Sequence, residues 1–200
     1  MRVLDLFSGL GGFSEAFLQL GDEVCRVENN PLLSEVPYTS MDDVVKVRDR
    51  LAVYQAQGVE IRHTDVILAA PPCVEFSLAY SSPRSIAMRN GKEFHPDMTL
   101  LEATLDIIEI VKPRYWVIEN VVGSIKYFAE YGLTPRQIHG AHVLYGNFPM
   151  FECEELPTKA SKDKTSTHPL RANHKALVPW ALSSALRQAI TDQTTLFDFA

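Results

Sequence analysis

Residues 2–28 read RVLDLFSGLGGFSEAFLQLGDEVCRVE, and this stretch decides the fold. A short apolar run, 2–7, breaks into a turn with glycines at 9, 11 and 12. Phe13, Phe17 and Leu20 then recur at helical spacing, and 22–28 returns to a strand pattern that ends on Glu28. Strand, glycine turn, helix and strand form the unit of a parallel sheet, because parallel neighbours need a crossover that holds a helix. The alternation continues outward. Residues 41–58 place Val44, Val45, Val47, Leu51 and Tyr54 at roughly helical spacing before Gly58. Residues 65–70 read as a buried strand, all apolar after Asp65, 97–112 as an amphipathic helix, 114–120 as another buried strand with its apolar run at 115–118, and 178–190 as a last amphipathic helix. The expectation is one α/β domain over 1–190, a mostly parallel sheet with helices on both faces, followed by a flexible tail over 191–200.

Two hundred residues suffice for one sizeable core, and 46% hydrophobic with 22% charged residues is ordinary for a globular chain. Cys25, Cys73 and Cys153 make no disulfide framework and suggest reduced thiols in a cytoplasmic setting. The first residues run straight into a strand pattern without a leader-like segment, and no apolar run approaches the about 18 residues of a membrane span. No metal-ligand spacing stands out. The net charge of −6 advertises no polyanion, so any basic surface is local. Two stretches qualify: the long connection 74–96, with Arg84, Arg89, Lys92 and His95, and 156–175. The latter carries Lys159, Lys162, Lys164, Arg171 and Lys175 against Asp163 alone.

Three motifs end on the carboxyl sides of strand candidates, where ligands bind in such sheets. In DLFSGLGGF (5–13) the glycines allow close backbone approach, and an acidic residue about 20 positions on, here Glu28, is placed to bond ribose hydroxyls. A tight turn without a ligand would use the same glycines. In PPC (71–73) two prolines fix the turn that carries Cys73; a catalytic thiol needs such a mount, whereas most cysteines simply pack. In ENV (119–121) Glu119 finishes a buried run, where a carboxyl either caps the next helix or exchanges a proton.

DLFSGLGG, PPC and ENV, in this order, resemble motifs of the DNA (cytosine-5) methyltransferases, and 174–190 is similar to the family's last two motifs. The resemblance implies an S-adenosylmethionine-dependent methyltransferase fold of Rossmann-like type, and DNA as substrate, at the nucleoid. It implies that Asp5, Phe7, Gly9, Gly11, Gly12, Glu28, Asn29, Pro71 and Pro72 border the cofactor, with Asp42 or Asp43 at the adenine. Cys73 would add to carbon 6 of a flipped cytosine, Glu119 would assist at ring nitrogen 3, and Arg136 would complete the catalytic set. Arg84, Arg89, Lys92, Lys159, Lys162, Lys164 and Arg171 would meet phosphates.

The chain departs from the family pattern at Ala16 in the first motif and at Glu75, where a glutamine is usual. The two-arginine motif has only Arg136 as a candidate, with His139 a weak substitute. Between 151 and the last helix there is a short basic loop instead of a target-recognition domain. QTTLFDF (193–199) resembles peptides that dock on sliding clamps, with Gln193, Leu196, Phe197 and Phe199 as the partner-binding residues; a helix end packing back on the body would look alike. Amino-group methyltransferases are disfavoured by Ala70 and Cys73 around the prolines, while RNA cytosine methylation and a non-catalytic or partner-dependent relative remain open.

Overall fold

The strand β1 (Arg2–Leu6) pairs in parallel with β2 (Glu23–Glu28), Leu4 opposite Cys25, and α1 (Glu15–Gln19) crosses between them. Beyond β2 lies β3 (Thr39–Met41), from which α2 (Val44–Ala56) returns to β4 (Val66–Ala69) on the other side of β1. The helices α3 (Pro83–Arg89) and α4 (Thr99–Val111) lead to β5 (Tyr115–Val121), parallel to β4. The short α5 (Ile125–Phe128) precedes an antiparallel hairpin, β6 (Gln137–His139) and β7 (His142–Asn147), with β7 antiparallel to β5. The helices α6 (Arg171–Ala176) and α7 (Trp180–Phe197) follow. This computed structural model describes residues 1–153 and 167–197, the side chains only as far as residue 193. The sheet order is β3-β2-β1-β4-β5-β7-β6, a Rossmann-like α/β arrangement.

The period of two along β4 builds both cores. Val66 and Leu68 pack with Phe17, Leu182, Leu186 and Ile190 from α1 and α7, while Ile67 and Ala69 pack with Leu101, Ala103 and Ile107 from α4. All four strand residues are fully buried, as an apolar run covered on both faces should be. From β1 the chain moves outward to β2, and from β4 it moves outward the other way to β5, so the segments leaving β1 and β4 diverge. That reversal opens a crevice at their carboxyl ends.

The helix expected from the spacing of Phe13, Phe17 and Leu20 begins only at Glu15 and ends at Gln19, after a turn in which Gly9 and Gly11 hold left-handed positions. The helix expected to close at 190 runs to Phe197, so the segment read as a flexible tail is helical over its described part. The apolar face of α2 is less buried than its spacing suggested. Only Val44 is buried, Tyr54 is exposed, and a cavity of about 470 Å³ lies between Leu51, Tyr54 and the sheet. Residues 74–96 contain α3, and residues 171–176 of the basic loop form α6.

Candidate active site

The glycine turn rests on a buried polar network. Arg26, 1% exposed, donates from Nε to Ser14 Oγ (2.9 Å), from Nη2 to Gly11 O (3.1 Å) and Glu15 Oε2 (2.7 Å), and from Nη1 to Pro37 O (3.1 Å). Ser14 Oγ in turn donates to Asp5 Oδ2 at 2.6 Å. Asp5 therefore lies beneath the turn, fully buried, rather than on a ligand surface as expected. A methyl at Gly11 would stand 2.5 Å from the Arg26 guanidinium carbon, and its φ is +82°, so this position requires glycine.

Burial pushes the Asp5 carboxyl from 3.8 up to about 7, against the opposing pull of the Ser14 hydroxyl and Arg26. Because the folded value lies above the ordinary one, its stabilising contribution is complete below 3.8 and is lost as pH rises through about 7. Wild-type stability should therefore fall by roughly 2–4 kcal/mol more than that of Asp5→Asn between about pH 4 and pH 8 in thermal unfolding. Parallel profiles for the two proteins would contradict this.

Above the turn is a cavity of about 270 Å³ lined by Phe7, Ser8, Gly9, Gly12, Glu28, Ala70, Pro72, Cys73, Asn173 and Leu177, among others. Phe7, at φ 60°, and Gly9, at φ +56°, turn the chain away from β1 so that the backbone forms the cavity floor. Glu28 Oε1 accepts from Asn29 N (3.0 Å) and Asn30 N (2.9 Å), and Oε2 accepts from Gly9 N (2.8 Å). The carboxylate is thus fixed, with acceptor capacity left on Oε2. Ser8 Oγ, buried on the same wall, has no hydrogen-bond partner among the described residues. A glycine floor, a fixed carboxylate and an unsatisfied hydroxyl fit a nucleoside with free ribose hydroxyls.

Gly12 receives the chain between α6 and α7: a methyl there would stand 2.6 Å from Val178 O and 2.5 Å from Leu177 Cδ1. Asn173 was missed in the sequence, because the basic character of 156–175 hid a helix that walls the cavity, whereas Leu177 falls in 174–190, the stretch that resembles the family's last two motifs. We expect Gly12→Ala to weaken cofactor binding about 10- to 100-fold in calorimetry by displacing that wall. Unchanged affinity would contradict the wall's role.

Asp42 and Asp43 separate clearly. Asp42 pairs with Arg50 and lines the larger cavity under α2. Asp43 caps α2, accepting from Val45 N at 2.9 Å, and also accepts from Asn29 Nδ2 at 3.4 Å. Neither these two aspartates nor Asn29 lines the 270 Å³ cavity.

Cys73 borders that cavity, and its carbonyl accepts from Phe76 N (3.1 Å) and Ser77 N (3.0 Å), so the thiol sits at the start of a turn. The prolines have help. Asn120, fully buried, donates from Nδ2 to Pro71 O at 3.1 Å and accepts from Val121 N at 2.9 Å, tying the β4 turn to β5. Phe76 anchors the other side, edge-on to Phe128 with ring centres 5.3 Å apart. Ala69 pairs with Ile118, so the next register step aligns Ala70 with Glu119. Glu119 is 9% exposed, and its Oε1 lies 2.8 Å from His142 Nδ1.

Arg136 is not brought to this site. Its Nε donates to Phe148 O, and its guanidinium lies 5.5 Å from the Phe148 ring, beyond Asn147, which pairs with Trp116 at the opposite end of β5. His139 stacks on Phe151 with ring centres 4.9 Å apart.

Among the expected phosphate ligands, Arg84 is half-buried and donates to Gly123 O at 2.9 Å, which docks the 74–96 segment on the turn after β5. Arg89 lies 3.8 Å over the Tyr80 ring and donates to Tyr80 O at 2.7 Å, while Lys92 is exposed. Arg171 is half-buried at the start of α6. Lys159, Lys162 and Lys164 lie outside the described residues. Gln193 is half-buried in α7; Leu196 and Phe197 continue that helix with side chains outside the described residues, as is Phe199 entirely. Among the described residues no helix is long and apolar enough to cross a membrane, and no cluster of metal-ligating side chains occurs.

These features define a Rossmann-like α/β domain with a rigidly mounted thiol beside a cavity suited to a nucleoside. The chain belongs to the C-5 cytosine-specific DNA methylase family, whose model matches residues 1–129. It is 26% identical over 128 residues to the type II methyltransferase M.DdeI of Desulfomicrobium norvegicum, covering 62% of this chain and 29% of that one. To M.HgiGI of Herpetosiphon aurantiacus it is 26% identical over 131 residues, covering 60% and 90%. A SAM-dependent methyltransferase of Agrobacterium tumefaciens superimposes with a TM-score of 0.45 at 15% identity, covering 73% of this chain and 55% of that one. The matched part of the chain spans less than a third of the length of M.DdeI.

Proposed function

We propose that this protein transfers a methyl group from S-adenosylmethionine to carbon 5 of cytosine in DNA. The observation that carries the reading is the convergence of the glycine turn after β1 and the Pro-Pro-Cys turn after β4 on one cavity, with Glu28 on its wall. Family membership supports the substrate class. Gly9, Gly12, Ser8 and Glu28 would hold the nucleoside part of the cofactor, and Leu177 with Asn173 would close over it. Asp42 and Asp43 both stand outside that cavity, and with Asp42 held by Arg50, Asp43 is the remaining candidate for the adenine side.

Carbon 5 of cytosine is a weak nucleophile while the ring is aromatic. As the Cys73 thiolate adds to carbon 6, the Glu119 carboxyl gives its proton to ring nitrogen 3, which takes up the displaced charge and leaves carbon 5 enamine-like; the proton returns to Glu119 when the thiolate leaves. S-adenosylmethionine, when bound, supplies the electrophilic methyl group. Removal of the carbon 5 proton by a base then expels the Cys73 thiolate and restores the ring. A base inside a duplex is out of reach of the thiol, so the nucleotide must leave the stack. The segment 74–96, docked through Arg84 and Phe76, is the element beside the emerging base, and Arg89 and Lys92 are its exposed cations. The basic residues of 156–175 would clamp phosphates without reading much sequence. Clamp binding through Gln193, Leu196, Phe197 and Phe199 rests on the sequence resemblance alone; α7 would have to release its last turn to present them.

The test is mass spectrometry of nucleosides from DNA, and from matched RNA, incubated with the protein and S-adenosylmethionine. The reading expects 5-methyldeoxycytidine from DNA. Methylated cytidine from RNA alone would redirect it to RNA, and no methylated base in either polymer would contradict it.

A further inference from the structure

We propose that His142 is the positioning residue for Glu119: its Nδ1–H holds one carboxylate oxygen so that the other faces the target base. The inference deepens the function proposed above and rests on it for its kinetic part. Leu144 lies directly opposite Glu119 across the β5–β7 pair, and both point to the face that carries α1 and α7. His142 is two residues before Leu144, so alternation places it on that same face, at the diagonal position from Glu119. The two side chains are 17% and 11% exposed and meet at 2.8 Å.

The proton that Glu119 offers the base lies on the oxygen turned toward it, so the other oxygen accepts and the imidazole donates from Nδ1. A bond of this kind fixes the rotation of the carboxyl group. Without it, either oxygen could turn toward the base, and Glu119 would spend only part of its time aligned. Among the described residues the neighbouring strands give no competing partner for this bond. His139, opposite His142 in the hairpin, stacks on Phe151, and burial, reinforced by the adjacent His142, pushes its imidazole toward the neutral form. The Tyr145 hydroxyl is engaged with Ser124 at 2.8 Å. The sequence did not single out His142, because its distance from Glu119 depends on a register between antiparallel strands 23 residues apart.

The test compares the full chain with His142→Ala and His142→Asn, since the asparagine amide nitrogen stands one bond beyond Cγ, as Nδ1 does. His142→Ala should lower kcat about 10- to 100-fold with the KM for DNA nearly unchanged, and His142→Asn should restore all but about fivefold. Side-chain ¹⁵N NMR of the wild type should show His142 protonated at Nδ1, with a signal that moves in Glu119→Gln. Wild-type kcat in His142→Ala, or equal losses in both variants, would overturn the assignment. A wild type that methylates nothing would sink the proposed function instead. The histidine signal then decides the contact alone: an Nε2-protonated ring, or one blind to Glu119→Gln, would overturn it.

Discussion

Cys73→Ser should lower 5-methyldeoxycytidine formation by at least about 10³-fold while cofactor affinity stays within about threefold of wild type. The hydroxyl is nearly isosteric but ionises far less readily than the thiol, so addition to carbon 6 is lost while the mount remains. That mount depends on Pro71 and Pro72, on the Asn120 bond to Pro71 O, and on Phe76 in the core, none of which the substitution touches. The cofactor groups on Glu28, Ser8 and the glycine turn are equally untouched. Activity within tenfold of wild type would show that another group attacks the base.

Glu119→Gln should lower kcat by about 10²- to 10⁴-fold, the usual range for removing a positioned acid–base group. The amide keeps the volume and can still accept from His142, so the fold and the β5–β7 pairing persist. What disappears is a proton that can be held at ring nitrogen 3 as charge builds there. The check is single-turnover methylation with saturating cofactor and DNA, compared with wild type across a range of pH. A variant as active as wild type at every pH would remove Glu119 from the chemistry.

The architecture was legible because its strands announce themselves. Val66–Ala69 and residues 115–118 are apolar runs, the pattern expected of strands buried on both faces. The three strand-end motifs were legible for the same reason, and the structure brings Phe7, Gly9, Gly12, Glu28, Pro72 and Cys73 to one cavity. What local pattern could not carry is what register decides. Asp5 looks like the head of the glycine motif, yet the alternation of β1 turns it under the turn toward Ser14. Arg136 precedes β6, and the hairpin register sends its guanidinium to Phe148 instead of toward Glu119. Asn120 lies within the ENV motif, yet its bond to Pro71 O, 49 positions away, is set by the pairing of β4 with β5, and Asn173 reaches the cavity only through α6. The hairpin was missed because β6 is only three residues long and Gly140 separates it closely from β7.

The covalent intermediate is the centre of this account, and it can be caught. DNA carrying 5-fluorodeoxycytidine in place of cytidine has no proton at carbon 5, so the last elimination stalls and the thioether to the enzyme persists. The measurement is mass spectrometry of the protein incubated with that DNA and S-adenosylmethionine, followed by peptide mapping. The account predicts a DNA-linked, methylated adduct on the peptide bearing Cys73 and none in Cys73→Ser. No adduct with a protein that does methylate ordinary DNA, or an adduct on Cys25 or Cys153, would contradict it.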